Sequence, residues 1–186
     1  MQKSKIILAF VGMPGAGKSE AAAYLQKKGI PFIRFGQVTD NGLAEMGLPI
    51  NPDNEKMFRE KIRKELGMAA YAIRSTSAIE EMLSENDLIV IDGLYSWEEY
   101  LYLKQKFPYL KLVHVFTEPV KRYERLSQRS IRPISLGESY KRDVAEIEKL
   151  NKGGPIAIAD YLIEDSTDVI EDFHISLDKL LERLKI

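Results

Sequence analysis

Hydrophobic residues in this chain fall into short continuous runs that are separated by longer segments with a helical period. The run from Ile6 to Val11 ends at a glycine-rich loop, and the run from Leu88 to Ile91 ends at Asp92-Gly93. Continuous apolar runs of this length are typical of strands that are buried on both faces of a parallel sheet. Further short strands are predicted over residues 31–35, 112–116 and 161–163.

Between these runs, apolar residues recur at spacings of three and four, which is the period of an amphipathic helix. Helices are predicted over 18–28, 96–107, 117–129, 138–150 and 169–184, and a loop over 151–155. A longer helical stretch covers 55–83, and Gly67 is a point where it can bend or divide. Strands that alternate with helices predict an α/β fold with a parallel sheet covered on both faces. Ligands in such folds bind at the carboxyl ends of the strands.

Composition and charge narrow the classes of function. The 186 residues fit a single domain over 1–186, and 45% apolar with 30% charged residues is the profile of a globular protein. The sequence contains no cysteine, which excludes disulfides and thiolate metal sites and agrees with a cytoplasmic location. A net charge of −1 does not indicate nucleic acid binding, and no apolar run approaches the ~20 residues that span a bilayer.

The segment after the first strand carries a complete phosphate-binding loop. It matches G-x-x-x-x-G-K-[ST] and consists of Gly12, Met13, Pro14, Gly15, Ala16, Gly17, Lys18 and Ser19. Glycines let backbone N–H groups surround phosphate oxygens, and the loop opens a helix whose N-terminus carries a partial positive charge. Lys18 is predicted to reach the β- and γ-phosphates of ATP, and Ser19 to ligate Mg²⁺. Glu20 completes the predicted nucleotide-binding set. The alternative is an ordinary glycine-rich turn between strand and helix.

A second carboxylate is expected near this loop, because P-loop enzymes also hold Mg²⁺ with an acidic residue at the end of another buried strand. Asp92 fits that description, since four aliphatic residues, Leu88 to Ile91, directly precede it. The alternative is a solvated aspartate in a turn, because Asp-Gly is a common turn pair.

Other features select a class among P-loop proteins. The guanine-reading motif Asn-Lys-x-Asp of switch GTPases is incomplete here, where Asn151-Lys-Gly-Gly154 lacks the aspartate. The order of features resembles the nucleoside monophosphate kinase superfamily, most closely its dephospho-coenzyme-A-kinase-like and adenylate-kinase-related members. The resemblance covers nearly the whole chain and rests on Val11 to Ser19, Arg34-Phe-Gly36, Ile91-Asp-Gly93, the arginine-rich run 122–132 and Ile158-Ala-Asp-Tyr161.

The resemblance implies a three-layer P-loop NTPase fold with a five-stranded parallel sheet, an acceptor-binding helical region over about 37–84 and a short helical lid over about 125–142. Arginines recur three, four and three apart in the lid region, at Arg122, Arg125, Arg129 and Arg132. On a helix this spacing forms one face, and guanidinium groups there would stabilise the charge of a transferring phosphoryl group. Arg125 and Arg129 are the predicted catalytic residues beside Lys18 and Asp92. The alternative is a solvated basic face that pairs with Glu118 and Glu124.

Substrate-binding residues are harder to assign from sequence. Candidates are Arg74 on the long helical stretch, Gly93 and Tyr95 after the third strand, and Arg142 beyond the lid. An exposed helix charge is the alternative for Arg74, and an ion pair with Asp143 or Glu146 for Arg142. Tyr95 and Trp97 can stack on a ring of the acceptor or pack against the acceptor helices.

The chain also departs from the family pattern at the acceptor side. Gly36 is followed by Gln37, where the family carries an aspartate and then an arginine in the next turn, and Tyr95 stands where a nearby arginine is expected. An ordinary nucleoside monophosphate is therefore not the expected acceptor.

The sequence predicts an ATP- and Mg²⁺-dependent phosphotransferase that acts on a nucleotide-like or coenzyme-like acceptor. The main alternative is a nucleotide-dependent switch or regulatory ATPase with a protein partner. A third reading is a nucleic-acid-associated ATPase, which the charge balance disfavours.

Overall fold

A computed structural model describes residues 5–130, 133–167 and 169–185 of the chain. Within these ranges the strands form one five-stranded parallel sheet with the order β2-β3-β1-β4-β5. The strands are β1 (Ile6–Val11), β2 (Phe32–Arg34), β3 (Leu88–Asp92), β4 (Leu110–Phe116) and β5 (Tyr161–Glu164). The predicted parallel sheet is thus confirmed, and each predicted strand lies within about two residues of its observed position.

Helices connect the strands and cover both faces of the sheet. They are α1 (Lys18–Lys27), α2 (Gln37–Glu45), α3 (Pro52–Leu66), α4 (Ala70–Glu85), α5 (Trp97–Lys106), α6 (Pro119–Ser127), α7 (Leu136–Leu150), α8 (Gly153–Ala157) and α9 (Ile170–Leu184). None of the helices within the described ranges is both long and apolar enough to cross a membrane.

The side chains of β1 alternate between two buried clusters, as the two-residue period of a strand requires. Ile7 and Ala9 pack on one face with residues of α2 to α5, whereas Leu8 and Phe10 pack on the other face with residues of α1 and α9. These side chains are fully buried, which explains why the strand reads as a continuous apolar run.

The long helical stretch predicted over 55–83 is divided in two at Gly67. This residue ends α3 with a φ of 75°, a left-handed backbone that glycine adopts without steric cost. Arg74 therefore lies in the second turn of a new helix, α4, and not late in one long helix. Part of the predicted loop 151–155 forms the short helix α8.

Helix α7 turns its polar side toward the protein. Ser139, Asp143 and Glu146 are buried, whereas Tyr140 and Ile147 on the apolar side are exposed. This orientation follows from ion pairs that α7 makes with two buried cations, described below. The amphipathic pattern correctly indicates a helix here, but its apolar side is not the side that faces the protein.

The sheet brings separate segments of the chain to one edge. Phe10 at the end of β1 is in register with Asp92 at the end of β3, and Val11 is in register with His114 on β4. The loops that follow β1, β3 and β4 therefore emerge side by side at the carboxyl edge of the sheet, where ligands bind in folds of this kind.

Candidate functional site

The phosphate-binding loop follows β1 and opens α1, as predicted. Gly17 stands at the N-cap of α1 with a φ of 94°, and a Cβ there would lie 2.5 Å from Asp165 Oδ2. Helices α3 and α5 use the side chains of Asn51 and Ser96 to bond their first N–H groups, but no side chain caps α1 in the described structure. The first-turn N–H groups of α1 are thus left for an anion such as a phosphate.

Lys18 lies across this loop and is held by its backbone. Its Nζ donates hydrogen bonds to the carbonyl oxygens of Gly12 and Met13 at 2.9 and 3.0 Å. Burial is the largest cause that lowers the pKa of Lys18, to about 7, and the positive charge of Lys152 adds to it. Glu146 and Asp92 oppose this lowering. An amine with this pKa is partly neutral near neutral pH, and a polyphosphate anion bound beside it would favour the protonated, charged form.

Ser19 and Asp92 meet at the carboxyl edge of the sheet. The Ser19 hydroxyl donates a hydrogen bond of 2.9 Å to Asp92 Oδ2, across 73 positions of sequence. Asp92 is 4% exposed, and its burial raises the pKa of the carboxyl group, while the hydrogen bond from Ser19 and the charge of Lys18 act in the opposite direction. The structure therefore brings together the residues that the sequence predicted to hold Mg²⁺.

This donor set fits a magnesium nucleotide. Mg²⁺ is usually bound by one or two carboxylates or hydroxyls together with substrate phosphates and water, and not by a cage made only of protein groups. The described residues contain no cluster of three or more His, Asp or Glu side chains that could form such a cage. Ser19 and Asp92 would hold the ion, and the glycine-lined loop leaves room for the phosphates.

A cavity of about 330 Å³ opens beside the loop, within the size range of small-ligand pockets. It is lined by Gly15, Ala16, Gly17, Lys18, Ser19, Glu20, Arg125, Arg129, Asp165 and Ile170. Most of the predicted nucleotide-binding residues and both predicted catalytic arginines thus border one space. Gly12, Met13 and Pro14 lie in the same loop, on its side toward β1.

The arginines of the lid region do not form one row toward the phosphates. Arg122 is buried and makes a paired contact with Asp143 of α7, with Nη2 to Oδ2 at 2.6 Å. Arg125 instead pairs with the buried Asp165 at 2.6 Å, at the wall of the cavity. The predicted common face is therefore wrong for Arg122, because carboxylates on different elements turn the two guanidinium groups apart.

Arg129 lies just beyond the end of α6 and is exposed at the cavity. Partial desolvation, and next the charge of Arg142, lower the pKa of Arg129, so the two guanidinium groups lie near each other. No ion pair is described for Arg129, which leaves it well placed to meet an anion. Arg132, the last arginine of the predicted run, lies outside the described residues.

The predicted substrate-binding residues are spread over a wider area. Gly93 and Tyr95 follow β3 at the site, whereas Arg74 is exposed on α4. Tyr95 packs edge-on against Tyr71, with ring centroids 5.7 Å apart, and Arg142 forms an ion pair with Glu146 at 3.2 Å. The sequence left packing open as the alternative for Tyr95 and an ion pair as the alternative for Arg142, and the structure shows both of these contacts.

Trp97, the other ring considered for stacking, packs against Tyr100, with centroids 5.3 Å apart. Glu20, at the cavity, accepts a hydrogen bond at its Oε1 from His174 Nε2, at 2.9 Å. His174 also stacks on Tyr24 and thereby joins α9 to α1.

Three charged residues of the site were missed by the sequence analysis as functional candidates. Arg34, at the end of β2, pairs with Asp40, and its charge acts on Asp92. Lys152 and Glu146 form a buried ion pair near Lys18. Arg34 stood in a string that resembles related kinases and could have been found from it. No local pattern marks Lys152 or Glu146, since single lysines and glutamates are common on surfaces.

Arg34 changes the interpretation of the acceptor side. The sequence lacks arginines at the two positions where the family places them, after Gly36 and near Tyr95. Their absence predicted an acceptor site without a positively charged clamp. In the structure the guanidinium of Arg34 lies next to Gly36 and also donates a hydrogen bond of 3.1 Å to Gln37. A positive group is thus present on this side, supplied by strand β2.

Comparison with known proteins agrees with this geometry. A family model described as an AAA domain matches residues 8–148. A UPF0200 protein from Thermococcus sibiricus is 34% identical, over 97% of this chain and 96% of that protein. The UPF0200 protein MJ1399 from Methanocaldococcus jannaschii is 30% identical, over 96% of this chain and 90% of that protein.

Solved structures share the fold at lower sequence identity. The structure of TT1252 from Thermus thermophilus has a TM-score of 0.65 at 20% identity and covers 98% of this chain and 99% of its own. Shikimate kinase from Acinetobacter baumannii, in complex with shikimate, has a TM-score of 0.58 at 18% identity. The match covers 99% of this chain and 97% of the shikimate kinase chain. The predicted P-loop NTPase fold with a five-stranded parallel sheet is confirmed.

Proposed function

The chain belongs to the AAA domain family and to the UPF0200 proteins, and from this premise we propose that it is an ATP- and Mg²⁺-dependent phosphotransferase acting on a small molecule. One observation carries the proposal: Lys18, Ser19 and Asp92 meet at the carboxyl edge of the sheet, beside a cavity that Arg125 and Arg129 also line. A phosphoryl-transfer enzyme needs little covalent chemistry from its own residues, and relies on such a convergence of positioning and charge.

Each residue has a defined task in this proposal. The N–H groups of the loop and the Lys18 ammonium group hold the β- and γ-phosphates, and Arg129 neutralises charge that develops on the transferring group. Ser19 and Asp92 hold Mg²⁺, which when bound supplies positive charge to the phosphate oxygens. Arg125 is anchored by Asp165 at the cavity wall and there faces the nucleotide.

The transfer itself is a balanced displacement. An oxygen of the acceptor forms a bond to the γ-phosphorus, and the bond between that phosphorus and the β,γ-bridging oxygen breaks. ADP leaves with the bond electrons, and the proton of the acceptor hydroxyl is released to water. Lid closure over the cavity would exclude bulk water, which otherwise competes as the acceptor.

The acceptor is proposed to be a nucleotide-like or coenzyme-like molecule that binds on the side of Arg34, Gly93 and Tyr95. Solved structures with this fold include proteins named as shikimate kinases and a gluconokinase, which supports a small-molecule acceptor in general. Arg34 can bind an anionic group of the acceptor if its pair with Asp40 opens.

Phosphate transfer from labelled ATP in the presence of Mg²⁺ tests the proposal. The acceptor panel contains nucleoside monophosphates, nucleosides, dephospho-coenzyme A, shikimate and gluconate. Lys18→Ala is the blank, and Lys27→Ala, which removes an exposed lysine from the same helix, is the matched control. Transfer to one acceptor by the wild type and the control, but not the blank, is expected. Slow ATP hydrolysis with no labelled acceptor would refute the kinase proposal and favour a nucleotide-dependent switch with a protein partner.

A further inference from the structure

A second lysine is buried close to the lysine of the phosphate-binding loop. Lys152 is 2% exposed, and its ammonium group forms an ion pair with Glu146. Its charge is the strongest electrostatic influence on Lys18, ahead of Glu146 and Asp92. The two buried ammonium groups are therefore close enough for their charges to interact.

The surroundings of Lys152 place it near the carboxyl end of β3. It is not among the residues that line the nucleotide cavity, and its Nζ lies 5.5 Å from the centre of the Tyr95 ring. Tyr95 follows Asp92 and Gly93 at the carboxyl end of β3, on the proposed acceptor side. Lys18 thus lines the nucleotide cavity, whereas Lys152 lies beside Tyr95 on the proposed acceptor side.

The backbone holds Lys152 in this position. Asn151 caps the C-terminal end of helix α7 with a left-handed φ of 50°, and the N–H group of Lys152 then donates a hydrogen bond to the carbonyl oxygen of Glu146. The chain reversal turns the side chain of Lys152 inward, where Glu146 meets it from the polar side of α7. Glu146 also binds Arg142, so two cations share this one carboxylate.

Stability alone does not account for this arrangement. Removing a lysine and a glutamate from water costs several kcal/mol per ion, and replacing such a pair by apolar residues is often neutral or stabilising. A second positive charge beside Lys18 adds repulsion to that cost. A negatively charged group bound between the two lysines would turn the repulsion into attraction, and a transferring phosphoryl group carries such a charge.

We propose that Lys152 contacts the transferring phosphoryl group from the acceptor side, with Glu146 as the positioning residue that holds it there. The inference rests on the proposed phosphotransferase function and names a further residue of the same site. An ammonium group has three donors, so Lys152 can keep its bond to Glu146 and offer another donor to a phosphoryl oxygen. Lys18 and Arg129 then act from the nucleotide side and Lys152 from the opposite side, while charge spreads over the equatorial oxygens.

A comparison of two binding affinities tests the assignment: that for ADP with aluminium fluoride and that for ADP alone. Aluminium fluoride mimics the phosphoryl group during transfer. Both affinities are measured with Mg²⁺ by calorimetry on the full chain. Lys152→Met should lower the preference for the mimic about 10- to 100-fold, the effect of losing one hydrogen bond to a charged group, and leave ADP affinity within about twofold. Lys152→Arg should keep part of the preference. Lys149→Met, which removes an exposed lysine near the end of α7, is the matched control.

A double variant separates this role from a structural one. Lys152→Met leaves Glu146 buried without its partner and can unfold the protein, whereas Lys152→Met with Glu146→Leu removes both charges and should melt near the wild-type temperature. If the double variant is folded and has lost the preference for the mimic, the assignment stands. If it is folded and keeps the preference, the pair is structural and the inference is wrong. If the wild type binds neither ADP nor ADP with aluminium fluoride, the phosphotransferase proposal fails as well, which is a distinct result.

Discussion

The charge state of Lys18 gives a prediction that can be worked out numerically. In the free protein, burial and the neighbouring charge of Lys152 lower the pKa of Lys18 to about 7. Bound phosphates add negative charge within reach of Nζ and should return the pKa toward its ordinary value of about 10.4. Binding of the nucleotide is then coupled to uptake of a proton, because the complex holds the charged amine more firmly than the free protein does.

The size of this coupling depends on pH. With a pKa of about 7, only about a tenth of the free protein carries a charged Lys18 at pH 8, so binding should take up about 0.9 proton there and only about 0.1 at pH 6. Since the complex needs the charged form of Lys18, the affinity for the nucleotide should fall as pH rises. The fall is at most about tenfold per pH unit, and it should total about 50-fold between pH 7 and pH 9. Between pH 7 and pH 9 the phosphates are largely ionised, because their second pKa is about 6.

Calorimetry in buffers with different ionisation enthalpies measures the proton uptake directly, as the slope of the observed binding enthalpy against the buffer enthalpy. Lys18→Met should abolish both the uptake at pH 8 and the fall in affinity above pH 7. Lys27→Met, which removes an exposed lysine from the same helix, should leave both unchanged. A wild-type protein that binds ATP with no proton uptake at pH 8 would refute the assigned charge state of Lys18.

Other variants test the remaining parts of the site and its support. Asp92→Asn should raise the Mg²⁺ concentration needed for half-maximal activity about tenfold or more, since the carboxylate beside Ser19 loses its charge; an unchanged metal titration would remove Asp92 from the metal site. Arg129→Ala should lower kcat more than it weakens ATP binding, if this arginine at the cavity acts in the transition state; equal losses in rate and affinity would make it a ground-state binder. Arg122→Met should lower the free energy of unfolding by about 3 to 5 kcal/mol in urea denaturation, because it leaves Asp143 buried without its partner; a loss below about 1 kcal/mol would contradict the structural role of that pair.

Several parts of the site could be predicted from sequence because they depend on local patterns. The apolar run before Gly12 and the amphipathic segment after Lys18 mark a strand and a helix, and the glycine-rich loop must therefore lie between them. The aliphatic run before Asp92 likewise marks a buried strand, which places that carboxylate at the end of β3. Gly67 divides the long helical stretch because its backbone conformation favours glycine.

The partners of the charged residues could not be predicted, because they depend on the packing of distant elements. Arg122 and Arg125 lie three residues apart on α6, yet they bind carboxylates 21 and 40 positions further along the chain. Arg34 comes into register with Asp92 only because β2 lies next to β3 in the sheet. These contacts follow from the order of the strands, which local periodicity does not contain.

The sequence by itself therefore determined the class of fold, the phosphate-binding loop and the residues Lys18, Ser19 and Asp92, since each follows from a short pattern with its own physical cause. Only the tertiary structure decided which cations face the site. It turned Arg122 into a structural residue and brought Lys152 and Glu146 from the end of α7 to Lys18. The reason is that the direction of a charged side chain depends on which opposite charge the fold brings within reach, and that choice is made across the whole chain.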